Sequence, residues 1–536
     1  LVHSLKTVCK KGRSNREPDI SQNLLDANQI ISFHWFSFRF AIVFSSGKTA
    51  RVERLGERTG NLYDDERGIM TSQFEGEGMM RRFALILLIG ALNGNIALAQ
   101  VDGEPNQTSS SCRVEAANYK GWSAQELSNR WLKLEVVPQN GGRLMQVIFN
   151  GHPFLFVNPR YEGKYLPPDP SKWFNYGGDK LWLLPEGNDD EQHWVGNSDL
   201  LDDGPYAFRK VSEGKECEIE LTSPIDRQTG IQIRRTIHLD ADSPRIRFHA
   251  TMQNKTGHII EWSMQSVSQY DTADRSNPSR SSQNFWTFTP ANPSSSYLNR
   301  YHVRFGPAEN QAVAVRNDGL FALHYSHLAA ELWLDSTPGW LAVMDGDGGY
   351  AMVERFRYEK NETYPGKASV IFWTNGPETR MNSDGEPSMT SGGDGSPRYL
   401  EAEINSPLVQ LRPGETHDLD TEWFPTRATG EFHGVEDAGV LVRPLEAMRL
   451  DNGKIRLSGS FGVFFAGRLV AHFYDEHGGI LGAMPVMQVD PTNLVQIETE
   501  LAAPGKSFRV SLHLEDADGL DRGSLQEIPV SATEKH

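Results

Sequence analysis

The chain is poor in the features that most readily betray a function. It has 3 cysteines in 536 residues, too few and too scattered for a zinc finger or a CxxC redox pair. No GxSxG elbow, phosphate-binding P-loop or HExxH helix occurs, so serine-hydrolase, NTPase and zincin readings have no support. The apolar run Phe83–Leu92 is about half the ~20 residues a membrane span needs. Positive charge is in deficit as well. The formal net charge is −17, and −20 once the net +3 of residues 1–99 is set aside, which argues against nucleic acid and anionic membrane surfaces and suits neutral or cationic partners. Strong helix-forming runs are scarce, whereas 49 Gly, 29 Pro and 10 % aromatic residues favour many short strands joined by turns.

The N-terminal region divides by composition. Met79-Met80-Arg81-Arg82, the apolar run after it and the small residues Ala97-Leu98-Ala99 read as a secretory signal over 79–99. This predicts an exported bacterial protein, periplasmic or extracellular, with no membrane insertion after cleavage. Residues 1–78 carry no periodic pattern and stand upstream of a signal that belongs at an N-terminus. They are expected to be disordered, mistranslated upstream sequence, and Gly76-Glu77-Gly78 fits purine-rich codons of a bacterial ribosome-binding site just before Met79. Residues 100–118 are polar and turn-rich, a flexible leader. Cys112 and Cys217 remain after signal removal and form either one disulfide or two thiols.

Beyond the leader the pattern is all-β. Leu132–Val137 and Leu144–Phe149 flank Asn140-Gly141-Gly142 as a hairpin. Apolar residues alternate at Ile231, Ile233, Ile237 and Leu239, then at Ile246, Phe248, Ala250 and Met252, the period of antiparallel strands with one buried face. Further strands are expected at 319–324, 340–343, 350–355, 368–374 and 398–404, with a long loop over Asn382–Pro397. Asp345–Gly349 reads as a hairpin turn rather than a calcium loop. A first domain over 119–428 and a smaller immunoglobulin-like sandwich over 436–533, without an active site, follow from the break near Thr426–Glu436 and the short strands after it.

The densest chemistry lies in Trp173–Gly187 with His193 and Trp194. Aromatic faces cover sugar rings while amides, carboxylates and lysine hold hydroxyls, so this mixture suits a carbohydrate pocket as well as a packed aromatic lid. Arg235 interrupts the apolar alternation of its strand and points to the buried face, where it needs a carboxylate or a polar ligand. Glu354 combines charge with strand pattern in the same way.

Asn140–Leu144, Phe154–Pro159, Asn175–Trp182, Leu400–Pro407 and Leu411–Thr416 resemble a bacterial branch of the galactose mutarotase-like (aldose 1-epimerase-like) proteins, over about residues 125–425. The resemblance implies a β-supersandwich with a sugar cleft on a concave sheet face, an architecture shared with domains of polysaccharide lyases and glycoside hydrolases. It also implies a histidine acid and a glutamate base. Trp182 stands where the first family histidine would be, the strand around Ile260–Gln265 has none, and the late glutamate has counterparts in Glu403 and Glu401. The expected site is therefore Glu403 as base with His193 or Lys180 as acid. Asn175, Asp179, Trp182, Glu186, Arg235, Gln265 and Glu354 are the expected substrate-binding residues, with no metal and no cofactor. The expected function is binding of a sugar or oligosaccharide, with epimerase-, lyase- or hydrolase-type chemistry if it is an enzyme. A non-catalytic glycan-binding module and a structural or adhesive envelope protein are the alternatives.

Overall fold

The computed structural model describes the backbone of residues 30–35, 38–44 and 50–54, and residues 111–532 apart from 170–172, 188–191, 196–199, 308–311, 378, 382–386 and 390–395. Two compact units divide the chain, residues 1–106 and 107–536. In the first, Ile30–Trp35, Phe38–Phe44 and Ala50–Arg54 form a three-stranded antiparallel sheet in chain order. The rest of residues 1–78, expected to be disordered, lies outside the described residues. Runs such as IISFHW and FRFAIVF are rich in the aromatic and branched residues that favour strands even without alternation. The signal-like segment 79–99 lies outside the described residues.

The second unit begins earlier than its sequence suggests. Arg113–Tyr119, expected within a flexible leader, pairs as an edge strand with Trp122–Ser128. Cys112 just before it is bonded to Cys217, 105 residues away, with both side chains buried. The covalent tie and the buried Val114 convert a polar segment into structure.

Two large antiparallel sheets make the body of this unit. One runs in the order 302–305, 330–334, 370–374, 399–405, 260–271, 179–184, 143–149, 132–137, 122–128, 113–119, with Val409–Leu411 and His152–Pro153 added at its flank. The other runs 207–212, 216–225, 231–240, 246–254, 416–427, 350–356, 340–345, 285–290, 320–324, 313–315. Their inner faces share one core, in which Ile231, Ile233, Ile237 and Leu239 of the ten-stranded sheet meet Leu134, Leu181, Leu183 and Met264 of the twelve-stranded one. The alternation read from sequence becomes the burial pattern of the Ile231–Asp240 strand. Asp345–Gly349 turns between Trp340–Asp345 and Tyr350–Phe356, as the hairpin reading requires. The loop expected over Asn382–Pro397 lies largely outside the described residues.

The C-terminal residues form two four-stranded sheets, one from 434–436, 439–449, 455–463 and 495–501, the other from 467–474, 480–489, 509–516 and 521–529. Their core continues into the outer face of the ten-stranded sheet: Phe424 stacks near Phe464, and Phe288, Ala342, Met344 and Val353 belong to the same apolar cluster as Phe461, Leu469 and Leu512. Arg355 Nη2 donates to the Glu436 carbonyl at 2.6 Å, and Thr426 Oγ1 to the Val463 carbonyl at 2.8 Å.

Removing the Cys112–Cys217 bond tests how far that tie stabilises the fold. On a chain-entropy account a closed loop of this size contributes about 4–5 kcal/mol. Reduction, or a Cys112→Ser/Cys217→Ser variant, should lower the denaturant midpoint by a corresponding amount with the strand signature retained below it. An unchanged midpoint would show that the bond adds nothing.

Candidate functional site

The site is built on the outward face of the twelve-stranded sheet, and antiparallel register decides which side chains share it. Opposite Gln265 stand Trp182 and Asn405. The next outward-facing row across the sheet is Lys180, Val267, Glu403, Ile371 and Trp333. The row after it is Gln269, Glu401, Trp373 and Glu331. Residues from five strands, Lys180 and Glu401 among them 221 positions apart, thus meet on one surface although the sequence never places them together.

Local structure prepares the start of the Asp179–Leu184 strand. Gly177 has φ +91°, and a Cβ there would come within 2.2 Å of the Phe156 carbonyl, so only glycine lets the chain pass this close and enter the strand. Trp182 and Trp173 are then fixed from below. Their ring nitrogens donate to the two carboxylate oxygens of Asp202 at 2.8 and 3.1 Å, and Arg143 Nη2 closes on Asp202 at 2.8 Å with both side chains buried.

The resulting pocket has a volume of about 740 Å³. Its walls include Trp173, Trp182, Trp333, Trp373 and Tyr399, and its polar groups include Glu186, His193, Gln265, Glu331, Glu401 and Glu403. Lys180 Nζ lies 3.5 Å from Glu401 and 4.2 Å from the Trp182 ring centre. Gln269 Nε2 donates to the same Glu401 oxygen at 2.6 Å, and Gln265 Nε2 to Glu403 at 2.5 Å. A second cavity of about 840 Å³, lined by Gln228, His258, Glu261 and Trp262, shares Pro185 and His193 with the first.

Charge is concentrated here in a way that displaces proton affinities. Burial, and then the charge of Glu401, holds the Glu403 carboxyl well above the usual carboxylate range. Enclosure by the pocket walls, then Glu401, pushes Glu186 up to about 7 although solvent still reaches its surface. Burial also raises Glu331, against a hydrogen bond from Trp333. Lys180 pairs with Glu401, and the upward displacement of Glu403 favours its protonated form. A carboxyl held in that form suits a proton donor, whereas the role expected of Glu403 from sequence is that of a base.

The expected site residues separate into two groups. Trp182, Glu186, His193, Gln265 and Glu403 line the pocket, and Lys180 lies beneath it. Asn175 is buried in the adjoining loop, its side-chain oxygen accepting from the Gly177 amide at 3.1 Å. Asp179, Arg235 and Glu354 lie elsewhere, between the two sheets. Arg235 Nη2 meets Asp179 at 2.5 Å, Ser266 and Ser268 hydroxyls lie within 3.4 Å of the other Asp179 oxygen, and Tyr270 donates to Glu354 at 2.5 Å. The reason is parity: Asp179 and Lys180 are neighbours in sequence but point to opposite faces of the strand. These three are corrected from substrate-binding to inter-sheet residues. Glu331, Trp333, Trp373, Tyr399 and Gln269 escaped sequence reasoning. The signal that could have found them is the alternation of acid or aromatic with apolar side chains in Glu331-Leu332-Trp333 and Tyr399-Leu400-Glu401-Ala402-Glu403.

Glu216, His238 and Asp240 also come close enough to share a metal ion, but Arg245 and Arg247 already hold Asp240 at 3.1 and 2.8 Å.

No family model and no curated protein matches the chain. Among solved structures, a galactose mutarotase-like protein from Clostridium acetobutylicum is 9 % identical, with 59 % of this chain and 99 % of that one covered at a TM-score of 0.38. One from Lactobacillus casei is 8 % identical, with 56 % and 100 % covered and a TM-score of 0.38. A TPR-domain containing protein from Parabacteroides distasonis is 14 % identical over 57 % of this chain at a TM-score of 0.37, and this chain spans 47 % of that one.

The inter-sheet group yields a prediction about stability. Burial pushes the Glu354 pKa up to about 8. Below the ordinary carboxyl pKa both folded and unfolded chains hold this proton, so Glu354 contributes no pH dependence there. Between that value and about 8 the unfolded chain ionises first, and folding stability falls as pH rises, by up to ~1.4 kcal/mol per unit. Glu354→Gln should remove this slope. Relative to the natural protein it should gain roughly 3 kcal/mol between pH 5 and pH 8 in denaturant titrations; a difference that stays flat with pH would show that Glu354 ionises freely in the fold.

Proposed function

We propose that this is an exported carbohydrate-binding protein that holds a sugar or oligosaccharide in the pocket on its twelve-stranded sheet. The observation that carries the reading is the combination of four tryptophans and a tyrosine on the walls with carboxyl and amide groups at the floor, in one cavity of about 740 Å³. Flat aromatic faces cover the C–H surface of a pyranose, and the polar floor addresses its hydroxyls. The second cavity sharing His193 and Pro185 supports a ligand longer than one ring. Export is supported by the signal-like 79–99 segment and by the Cys112–Cys217 bond, which belongs to an oxidising compartment.

The pocket also contains groups suited to acid–base chemistry on a sugar. Glu403 is the proton donor in this reading, oriented by Gln265, and Glu186, which titrates near neutrality, is the group that can take a proton at the mouth. Lys180 is committed to Glu401 and holds charge rather than moving it. His193 stands at the junction of the two cavities, placed to meet a ligand spanning both. The sandwich at 434–529 packs on the other large sheet and takes no part in the pocket.

Trp373→Ala tests the binding surface. Trp373 is only half-buried and lines the pocket, so its loss should weaken glycan binding by about 2 kcal/mol, or roughly thirtyfold, with little change in melting temperature. Calorimetry on a ligand chosen from a glycan array, paired with thermal melts, reads both; unchanged affinity in the folded variant would remove this wall from the site. Glu403→Gln keeps the shape and deletes the proton donor. If the pocket is catalytic, turnover measured by polarimetry or reducing-end assay should fall by at least about a hundredfold, the typical contribution of a positioned acid. A variant that binds glycan and turns over like the natural protein would leave Glu403 a binding group alone.

A further inference from the structure

Lys180 shows what the outward face of this sheet does with an ammonium group. Its Nζ lies 4.2 Å from the Trp182 ring centre and 5.3 Å from that of Trp173, with Glu401 at 3.5 Å. Two indole faces and one carboxylate thus enclose a single cation, the pairing that cation–π attraction and charge neutralisation favour together. The same parts recur across the pocket. Trp373 stands directly opposite Glu331 in register, Trp333 is two residues beyond Glu331 on the same strand face, and the Trp333 ring nitrogen donates to Glu331 at 2.5 Å. Glu401 flanks Trp373 on its other side. Here no lysine among the described residues comes in from the sheet. The neighbouring cation is Arg304, which lies on an exposed rim strand and reaches only to 5.8 Å from the Trp333 ring.

The charge count of the cavity points the same way. Glu186, Glu331, Glu401 and Glu403 face it, against Arg304 at the rim and a Lys180 already closed on Glu401. A uronate would bring a fifth carboxyl group into a space where burial already disfavours negative charge on Glu186, Glu331 and Glu403. An ammonium would bring the charge that the second aromatic and acidic cluster lacks, together with donors for its oxygens.

We infer that the pocket selects an amine-bearing sugar, its ammonium seated among Trp333, Trp373 and Glu331 as that of Lys180 is seated among Trp182, Trp173 and Glu401. This rests on the carbohydrate reading above and adds the class of sugar to it. Recognition is by the free amine. N-acetylation removes both the charge and the cation–π contact, so an acetylated sugar loses the advantage while keeping its ring.

Binding of the full chain to an array of free-amine, N-acetylated, neutral and uronate glycans tests the selection. It is followed by calorimetric titration with the β-1,4-linked disaccharides of glucosamine, N-acetylglucosamine and glucose at about pH 6, where the amines are protonated. The glucosamine disaccharide should bind at least tenfold more tightly than the other two, uronate glycans should be the weakest on the array, and added salt should narrow the gap. Glu331→Gln, checked for folding by thermal melt, should bring the ratio to within about threefold. Equal or weaker binding of the free-amine sugar overturns the inference and leaves the carbohydrate reading standing. An array on which no glycan binds ends both.

Discussion

The sheets are held in register against each other by one buried ion pair, Arg235 with Asp179. Two charges removed from water are costly, and only close geometry with further hydrogen bonds offsets the cost. Ser266 and Ser268 supply those bonds on Asp179, while Arg235 lies over the Phe248 ring. A slip of the Asp179–Leu184 strand by one residue would turn Asp179 out to solvent and Lys180 into the core opposite Arg235. Because strand parity has period two, the same slip would bury Trp182 and expel Leu181 and Leu183. The penalty for placing Lys180 beside Arg235 in an apolar interior therefore fixes which face carries the pocket. The site on the outside depends on a charge pair on the inside.

This parity also explains what could and could not be read from the sequence. Period-two alternation revealed most of the strands, since burial of one face imposes it directly on the chain. The Trp173–Gly187 cluster was legible as a place where chemistry gathers, but it was taken whole. A strand sends alternate residues to opposite faces, so half of such a motif belongs to a site and half to the core; Asp179 went one way, Lys180 and Trp182 the other. Glu331, Trp333 and Trp373 were illegible for a different reason. Strands 330–334, 370–374 and 399–405 become neighbours of 260–271 and 179–184 only through an order that departs from the chain order, and local pattern carries no record of which strand will lie beside which. The proton affinity of Glu403 could not be read from the sequence because it depends on neighbours, Glu401 and Glu331 among them, contributed by those same distant strands.

The boundary near residue 430 is a break in pattern rather than in packing. Phe424 and Phe464, Ala342 and Leu469 belong to one apolar cluster, so the outer face of the ten-stranded sheet is covered over its 285–290, 320–324, 340–345 and 350–356 strands, while outward residues farther along it, such as Arg234 and Asp420, remain in solvent. Sequence sees the turn residues that separate the strand sets but not the face they rejoin. The two large sheets consequently do different work. One is covered by its partner sheet within and, over part of its outer face, by the C-terminal sandwich without, while the other leaves an outward face free for the pocket.

That free face carries an energetic burden that packing does not explain. Carboxyl groups enclosed by aromatic walls lose hydration and repel one another, and each must keep a proton or find a cation. Glu401 has found Lys180; burial and the neighbouring Glu401 favour the protonated form of Glu403, which takes a hydrogen bond from Gln265. Apolar side chains at these positions would fill the same volume without either cost. The arrangement persists because it is spread over five strands of a sheet that is rigidly backed by a second sheet, so no single carboxyl can relax into water without breaking ladder hydrogen bonds. Groups held in place at a standing cost of desolvation recover that energy when a ligand supplies the missing charge or donors. A rigid, under-solvated pocket of this kind gains more from a complementary ligand than a flexible surface bearing the same residues, because the reorganisation has been completed in folding.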